Sequence, residues 1–377
     1  MLNLLQYPFT PFAIALVIAA VGFIVGRSGR VMGGGAGLIV TIVGALLGCT
    51  GVVLVVGASV TAFELVKAAH DYPPPGKIVR VGRDRIHVWC EGPRAAPTVL
   101  LMGGGYSQGL AMRFYQLKLQ DRWRACTVDR SGLGWSSIGH LPKTVIGDLT
   151  LVHAALAAAG EGPVRAVVGH SAGGMFAANY ASLYPAEVRA IVLLDPSQPL
   201  QVSIDWEARF PPLERFYNRW MPVFATMFGL AYVPALDPLY GPGGAPVKVA
   251  AADHWNALVA WELRPSSILS TMDNGRASHD PLSYVRTPGA LEGVSLLLMP
   301  TELPKLSPPD GATGWRFDNY ARLMKAGRTE FLAMSSKSTL IEVPKGFQHY
   351  YPFTHPEFTV PRVRAFLERE LPTQMGH

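Results

Sequence analysis

Charge is what the first 63 residues lack. Before Glu64 the chain has no Asp, Glu, Lys or His, and Arg27 and Arg30 are its only ionised side chains. All 27 acidic residues and all but two of the 33 Lys and Arg therefore lie from Glu64 onward, so the overall 16% of charged residues conceals two unlike stretches. Such a division excludes one uniform soluble domain, and 49% hydrophobic residues exclude a disordered chain. Cysteine is scarce as well: three residues make no disulfide framework. Cys90 and Cys126 fall in apolar, strand-like segments and read as reduced core thiols, while Cys49 lies in the uncharged stretch. No His/Cys cluster has the spacing of metal ligands, so neither a metal nor an organic cofactor is expected. Basic and aromatic residues do not interleave as they do in nucleic-acid-binding segments, and there is no internal repeat.

The uncharged head contains two long apolar runs. Phe12 to Gly26 is almost wholly apolar, and a second uncharged stretch runs from Val31 to Phe63. About 20 helical residues cross a hydrocarbon core of about 30 Å, so residues 1–70 are predicted to form a membrane anchor of two transmembrane helices. Arg27-Ser28-Gly29-Arg30 and the glycines from Gly33 to Gly37 suit a tight helical hairpin between them. A phosphate-binding role for those glycines lacks the preceding strand and the following Lys-Ser/Thr. A cleaved signal peptide is disfavoured because no basic residue precedes the first apolar run. The positive-inside rule is divided between Arg27 and Arg30 in the turn and Lys67, Lys77 and Arg80 beyond the second span, so the side that the body faces stays open.

The body, 71–377, follows the stiff linker Asp71-Tyr72-Pro73-Pro74-Pro75-Gly76. Apolar runs at Ile78–Val81, Ile86–Cys90, Thr98–Met102, Ala125–Asp129, Val164–Gly169, Ala190–Asp195, Val294–Met299 and Thr339–Val343 read as strands. Asp148–Ala159, Ala172–Tyr184 and Pro356–Glu370 read as helices between and after them. Strands apolar on both faces that alternate with helices predict an α/β fold whose parallel sheet is covered on both sides. Catalytic groups in such a sheet belong at the carboxyl ends of its strands.

One of those ends carries Gly169-His170-Ser171-Ala172-Gly173, a Gly-x-Ser-x-Gly sequence between a strand and a helix. The glycines suit a sharp turn with no room for a Cβ on either side, which pushes Ser171 outward at a helix N-terminus. From here the body resembles the α/β-hydrolase superfamily over about residues 76 to 371. Leu100-Leu101-Met102-Gly103-Gly104-Gly105-Tyr106 stands where that family has a strand, His-Gly and an oxyanion-hole residue; Met102 replaces the His, and the resemblance gives the role to the N–H of Gly104, with Ala172 as the second donor. Asp129-Arg130-Ser131-Gly132-Leu133-Gly134-Trp135-Ser136 is similar to the family loop that shapes the site without doing chemistry. His349, in Gly346-Phe347-Gln348-His349, holds the position of the catalytic base. His170, next to Ser171 on a tight turn, cannot fold back to the hydroxyl and reads as packing beneath it.

The acid departs from the usual pattern. Most relatives place it after the strand corresponding to Val294–Met299, where this chain has Pro300-Thr301-Glu302-Leu303. Leu194-Asp195-Pro196 with Pro199 resembles the pancreatic-type lipases, whose acid follows the preceding strand. Asp195 is the first choice, Glu302 the alternative and Asp310 a third; a turn cap ahead of Pro196 is the bland reading of Asp195.

The resemblance implies a helical cap inserted at about 197–290. The insertion is rich in rings, among them Trp206, Phe210, Phe216, Trp220 and Phe228, most of them readable as the cap's own core. Trp220–Tyr232 is nearly uncharged and suits an acyl pocket or an interfacial segment. The expected function is a membrane-anchored serine hydrolase that cleaves hydrophobic carboxylic esters through Ser171, Asp195 or Glu302, and His349, with a small-molecule or lipid ester and the bilayer as its partners. A non-catalytic membrane-bound binding module on the same fold is the other reading. Thioesterase, acyltransferase, amidase and cofactor-free haloperoxidase activities share the same residues, whereas epoxide hydrolases and dehalogenases carry Asp at the elbow.

Overall fold

The computed structural model describes residues 9–105, 107–139, 141–198, 211–233, 244–278, 284–302 and 314–372. Its helices are α1 (Thr10–Met32), α2 (Gly34–Asp71), α3 (Arg113–Leu119), α4 (Val145–Ala158), α5 (Ala172–Leu183), α6 (Pro212–Met227), α7 (Gly244–Ala251), α8 (Trp255–Glu262), α9 (Pro265–Ser278), α10 (Gly314–Ala333), α11 (Tyr351–Thr354) and α12 (Pro356–Glu370). Its strands are β1 (Lys77–Val81), β2 (Asp84–Glu91), β3 (Thr98–Met102), β4 (Arg124–Val128), β5 (Val164–His170), β6 (Ala190–Leu194), β7 (Ser295–Met299) and β8 (Ser338–Leu340). The chain divides into two compact units, one of Met1–Pro73, Phe210–Pro242 and Val259–Leu269, the other of Pro74–Arg209, Gly243–Leu258 and Ser270–His377.

In the first unit α1 and α2 form an antiparallel hairpin, and both are long and apolar enough to cross a membrane. The reversal uses Gly33 and Gly34 at φ 66° and 64°, a left-handed conformation that costs glycine little. The hairpin closes along a seam of small residues. A Cβ on Gly22 would lie 2.3 Å from the Gly48 nitrogen, one on Gly44 2.1 Å from the Gly26 nitrogen, and one on Gly51 2.5 Å from the Ala19 nitrogen. Backbone thus meets backbone, the close approach that small residues permit between helices. Leu16, Phe23, Ile42 and Val53 point outward and are exposed.

The second unit is built on one eight-stranded sheet of order β1-β2-β4-β3-β5-β6-β7-β8. From β4 to β8 every pairing is parallel, while β1 with β2 and β2 with β4 are antiparallel. Strands β3 to β7 are buried on both faces. On one face Val167, Ile191 and Leu296 pack with Leu149 of α4 and Phe176 of α5; on the other Val168, Val192 and Leu297 pack with Tyr115 of α3 and Phe366 of α12. Each of the eight apolar runs read from the sequence overlaps a strand, the last only at Thr339 and Leu340, and the helix over Pro356–Glu370 has the expected bounds. The first strands differ from the parallel expectation because a short turn, Gly82-Arg83, joins β1 to β2 and permits only antiparallel pairing.

The expectation of reduced thiols is corrected. Cys90 and Cys126 form a disulfide with their Cα atoms 4.0 Å apart. They are directly opposite in the β2–β4 ladder, a register that a separation of 36 residues does not display in the sequence. Cys49 is free.

Candidate active site

The site grows from the end of β5. Ser171 adopts φ 56° and ψ −126°, a conformation that side chains rarely take, between β5 and the first residue of α5. The crowding explains the glycines around it: a Cβ on Gly169 would lie 2.2 Å from the Gly173 carbonyl oxygen, and one on Gly173 2.1 Å from that of Met102. The Ser171 N–H donates to Leu194 O at 3.1 Å, and Ser171 O accepts the N–H groups of Gly174 and Ser197, both at 2.9 Å. These bonds tie the turn to the end of β6. Ser171 Oγ lies 3.4 Å from Ser197 Oγ; among the described residues no hydrogen bond joins it to His349.

Asp195 and His349 come together from elements 154 residues apart, with Asp195 Oδ2 accepting from His349 Nδ1–H at 2.6 Å. The other carboxylate oxygen accepts from Thr301 twice, from N–H at 2.8 Å and from Oγ1–H at 2.9 Å. Burial alone would raise the Asp195 carboxyl, but the His349 and Thr301 hydrogen bonds outweigh it and hold the pKa below the ordinary value. Asp195 therefore stays ionised, and its φ of 40° aims the side chain off the strand end. Glu302 is exposed and makes no hydrogen bond to His349 among the described residues. Asp310 lies outside the described residues. Thr301 lies in the segment read for an acid, but nothing local marks it; its position two residues past β7, beside the end of β6, is the one available signal.

His170 lies beneath the turn, as its place in the elbow suggested, and it also does more. It donates Nε2–H to His349 O at 3.0 Å, and its ring centroid is 4.7 Å from that of His349 and 5.0 Å from that of Phe353. Burial, reinforced by the neighbouring His349, pushes its pKa down to about 3, so it is neutral near pH 7 and its single N–H goes to the loop that carries His349.

Gly104 abuts the elbow. A Cβ there would lie 2.6 Å from Ser171 Cβ and 2.9 Å from His170 Nδ1, so only glycine brings the backbone this close. Ala172 opens α5, and its N–H has no acceptor within the helix. The Asp129 loop is organised by a buried carboxylate that accepts from Gly109 N–H at 2.6 Å, Trp135 N–H at 3.0 Å and His87 Nδ1 at 2.8 Å. Those bonds hold the loop, in keeping with a shaping role. Cys90, Cys126 and Glu161 cluster elsewhere, but the two sulfurs are bonded to each other and Glu161 is paired with Arg124 at 2.8 Å, so the set does not suit a metal.

Known proteins resemble this chain in sequence and fold. The family pattern described as alpha/beta hydrolase fold matches residues 97–231. An uncharacterized protein of Bacillus subtilis is 29% identical over 140 residues, 37% of this chain and 43% of that protein. The (lyso)-N-acylphosphatidylethanolamine lipase of Mus musculus is 29% identical over 152 residues, 39% of this chain and 43% of the lipase. The matches thus span less than half the length of either relative. Among solved structures, a Pseudomonas aeruginosa protein described as a probable hydrolytic enzyme superposes with a TM-score of 0.56 at 24% identity, over 80% of this chain and 96% of that one. Sheet order, elbow and family pattern agree: the body of the chain has the α/β-hydrolase fold, and it carries that family's sequence pattern around Ser171.

Proposed function

We propose that the chain is a membrane-anchored serine hydrolase that cleaves hydrophobic carboxylic esters. The observation that carries this reading is the Asp195–His349 hydrogen bond beside a serine held at positive φ. With Nδ1–H committed to Asp195, the imidazole offers its Nε2 lone pair to take the Ser171 proton as Oγ attacks an ester carbonyl. Asp195 stabilises the imidazolium that forms, and the N–H groups of Gly104 and Ala172 receive the oxyanion. The imidazolium then protonates the leaving alcohol, and water, activated by the same base, releases the acid from Ser171. Hydrogen bonds between nucleophile and base are often long before substrate enters, which accommodates the Ser197 partner of Ser171.

An apolar hairpin at the N-terminus supports an anchor, and the likeness to a (lyso)-N-acylphosphatidylethanolamine lipase supports a lipophilic acyl group. The Cys90–Cys126 disulfide favours an oxidising compartment for the body, and so supports the reading that puts Arg27 and Arg30 on the cytoplasmic side. The test is turnover of p-nitrophenyl esters from acetyl to palmitoyl by the full chain in detergent micelles. Rates that rise with acyl length support the reading; turnover of none of them, or of acetate alone, contradicts it.

A further inference from the structure

Helix α6 is fastened to one level of α2. Thr61 Oγ1 donates to Thr226 O at 2.8 Å. Just past α6, a Cβ on Gly57 would lie 2.1 Å from the Phe228 carbonyl oxygen, and one on Gly229 would lie 2.8 Å from the Gly57 oxygen. The two backbones touch, so the C-terminal end of α6 has a fixed height along the hairpin.

That height can be placed on the span. Gly29, between Arg27 and Arg30, lies against Thr41, so the charged end of the hairpin is level with Thr41. Twenty residues further along α2, at 1.5 Å each, cover about 30 Å and arrive at Thr61. Thr61 thus stands where a span beginning at the arginines leaves the hydrocarbon, and the first acidic residue, Glu64, follows three positions on.

Running back from that end, α6 presents an apolar stripe whose first half the described residues leave exposed. Leu213, Phe216, Tyr217, Trp220 and Phe224 recur at intervals of three or four residues, on one face of the helix. Leu213 is 80% exposed, Phe216 58% and Tyr217 52%. Thr226, which meets α2, is two residues past Phe224 and so lies across the helix from it; the stripe faces outward from the hairpin. Glu214 and Asn218 flank the stripe and are also exposed. An aromatic stripe of this kind is costly in water, and it is the pattern of a helix seated between headgroups and acyl chains.

We propose that α6 lies in the interfacial zone of the bilayer that α1 and α2 cross, with its Leu213–Phe224 stripe immersed in lipid. The inference rests on the anchor reading above and adds a third, non-spanning contact.

The experiment uses the full chain carrying Cys49→Ser, in which the Cys90–Cys126 disulfide leaves no other thiol. Phe216→Cys, Asn218→Cys and Val53→Cys are each labelled with an NBD fluorophore in phosphatidylethanolamine/phosphatidylglycerol vesicles. Quenching by doxyl-labelled lipid is compared with quenching by aqueous iodide. The proposal expects Phe216 and Val53 to be quenched several-fold more by lipid than Asn218, with the reverse order for iodide; Leu213→Cys repeats the Phe216 measurement should that variant misfold. Lipid quenching at Val53 but none at Phe216 or Leu213 overturns the in-plane helix and leaves the anchor standing. No lipid quenching at Val53 overturns the anchor, and the inference with it.

Discussion

Thr301 grips Asp195 Oδ1 through both its N–H, at 2.8 Å, and its hydroxyl, at 2.9 Å, leaving Oδ2 for His349. A residue two positions past β7 thereby orients a carboxylate supplied by the end of β6. A hydrogen bond to a charged group is worth about 1.5–3 kcal/mol. Thr301→Val, which keeps the N–H and loses the hydroxyl, is therefore expected to lower kcat roughly tenfold to a hundredfold with KM little changed. Asp195→Asn is expected to cost about 10⁴ in kcat, and Glu302→Gln little. Steady-state kinetics of the three variants on one ester checks the ranking; a larger loss at Glu302 than at Asp195 moves the acid to the later strand.

Gly104 has a Cβ position 2.6 Å from Ser171 Cβ, so Gly104→Ala must push the two backbones apart. Displacing one oxyanion donor costs about 10²–10³ in kcat. Circular dichroism and thermal melting serve to show that the sheet survives, and unchanged turnover in a folded variant removes Gly104 from the oxyanion hole.

His170 links stability to pH. Its pKa in the folded chain is about 3, below the ordinary 6.5, so below pH 6.5 the unfolded chain binds a proton that the folded chain refuses. The His170 contribution is complete above pH 6.5 and is expected to be lost by up to about 1.4 kcal/mol per unit as the pH drops toward 4. Asp195, whose pKa is lowered, adds its own loss only as the pH falls through the carboxylate range. His170→Gln is expected to flatten the slope between pH 6.5 and 4 in urea melts, and an unchanged slope assigns the acid sensitivity to other groups.

The hairpin seam separates two glycines only four residues apart. Gly44 faces the Gly26 nitrogen at 2.1 Å from its Cβ position, while a Cβ on Gly48 meets nothing within 4 Å. Gly44→Leu is expected to destabilise the detergent-solubilised chain by more than about 2 kcal/mol and Gly48→Leu to be tolerated. Equal melting shifts for both variants contradict the close packing.

Thiol titration tests the compartment. Denatured without reductant, the chain is expected to show one reactive thiol, Cys49, and three after reduction. Three thiols before reduction would place the body in a reducing compartment.

Much of the architecture was legible because a sheet covered on both faces leaves apolar runs and sharp turns in the sequence. Ser171 was marked by glycines whose absent Cβ atoms the structure accounts for. What stayed hidden depends on registers between distant strands. Cys90 meets Cys126 because β2 pairs antiparallel with β4, and Thr301 reaches Asp195 because β7 lies beside β6. Neither adjacency has a local signature. The rings of α6, readable from sequence as the inside of a cap, are partly outside, because a 16-residue helix clamped at one level of α2 turns Phe216 and Tyr217 away from it.

The central claim is that Ser171 is a nucleophile activated by His349. A fluorophosphonate probe reacts only with such a serine, so labelling of the membrane-extracted full chain tests the claim most directly, with Ser171→Ala and His349→Ala alongside. The account predicts covalent labelling of the wild type, none of Ser171→Ala and a rate for His349→Ala lower by several orders of magnitude. A folded wild-type chain that takes no label, or labelling that persists in Ser171→Ala, would contradict it and favour a binding module on a hydrolase fold.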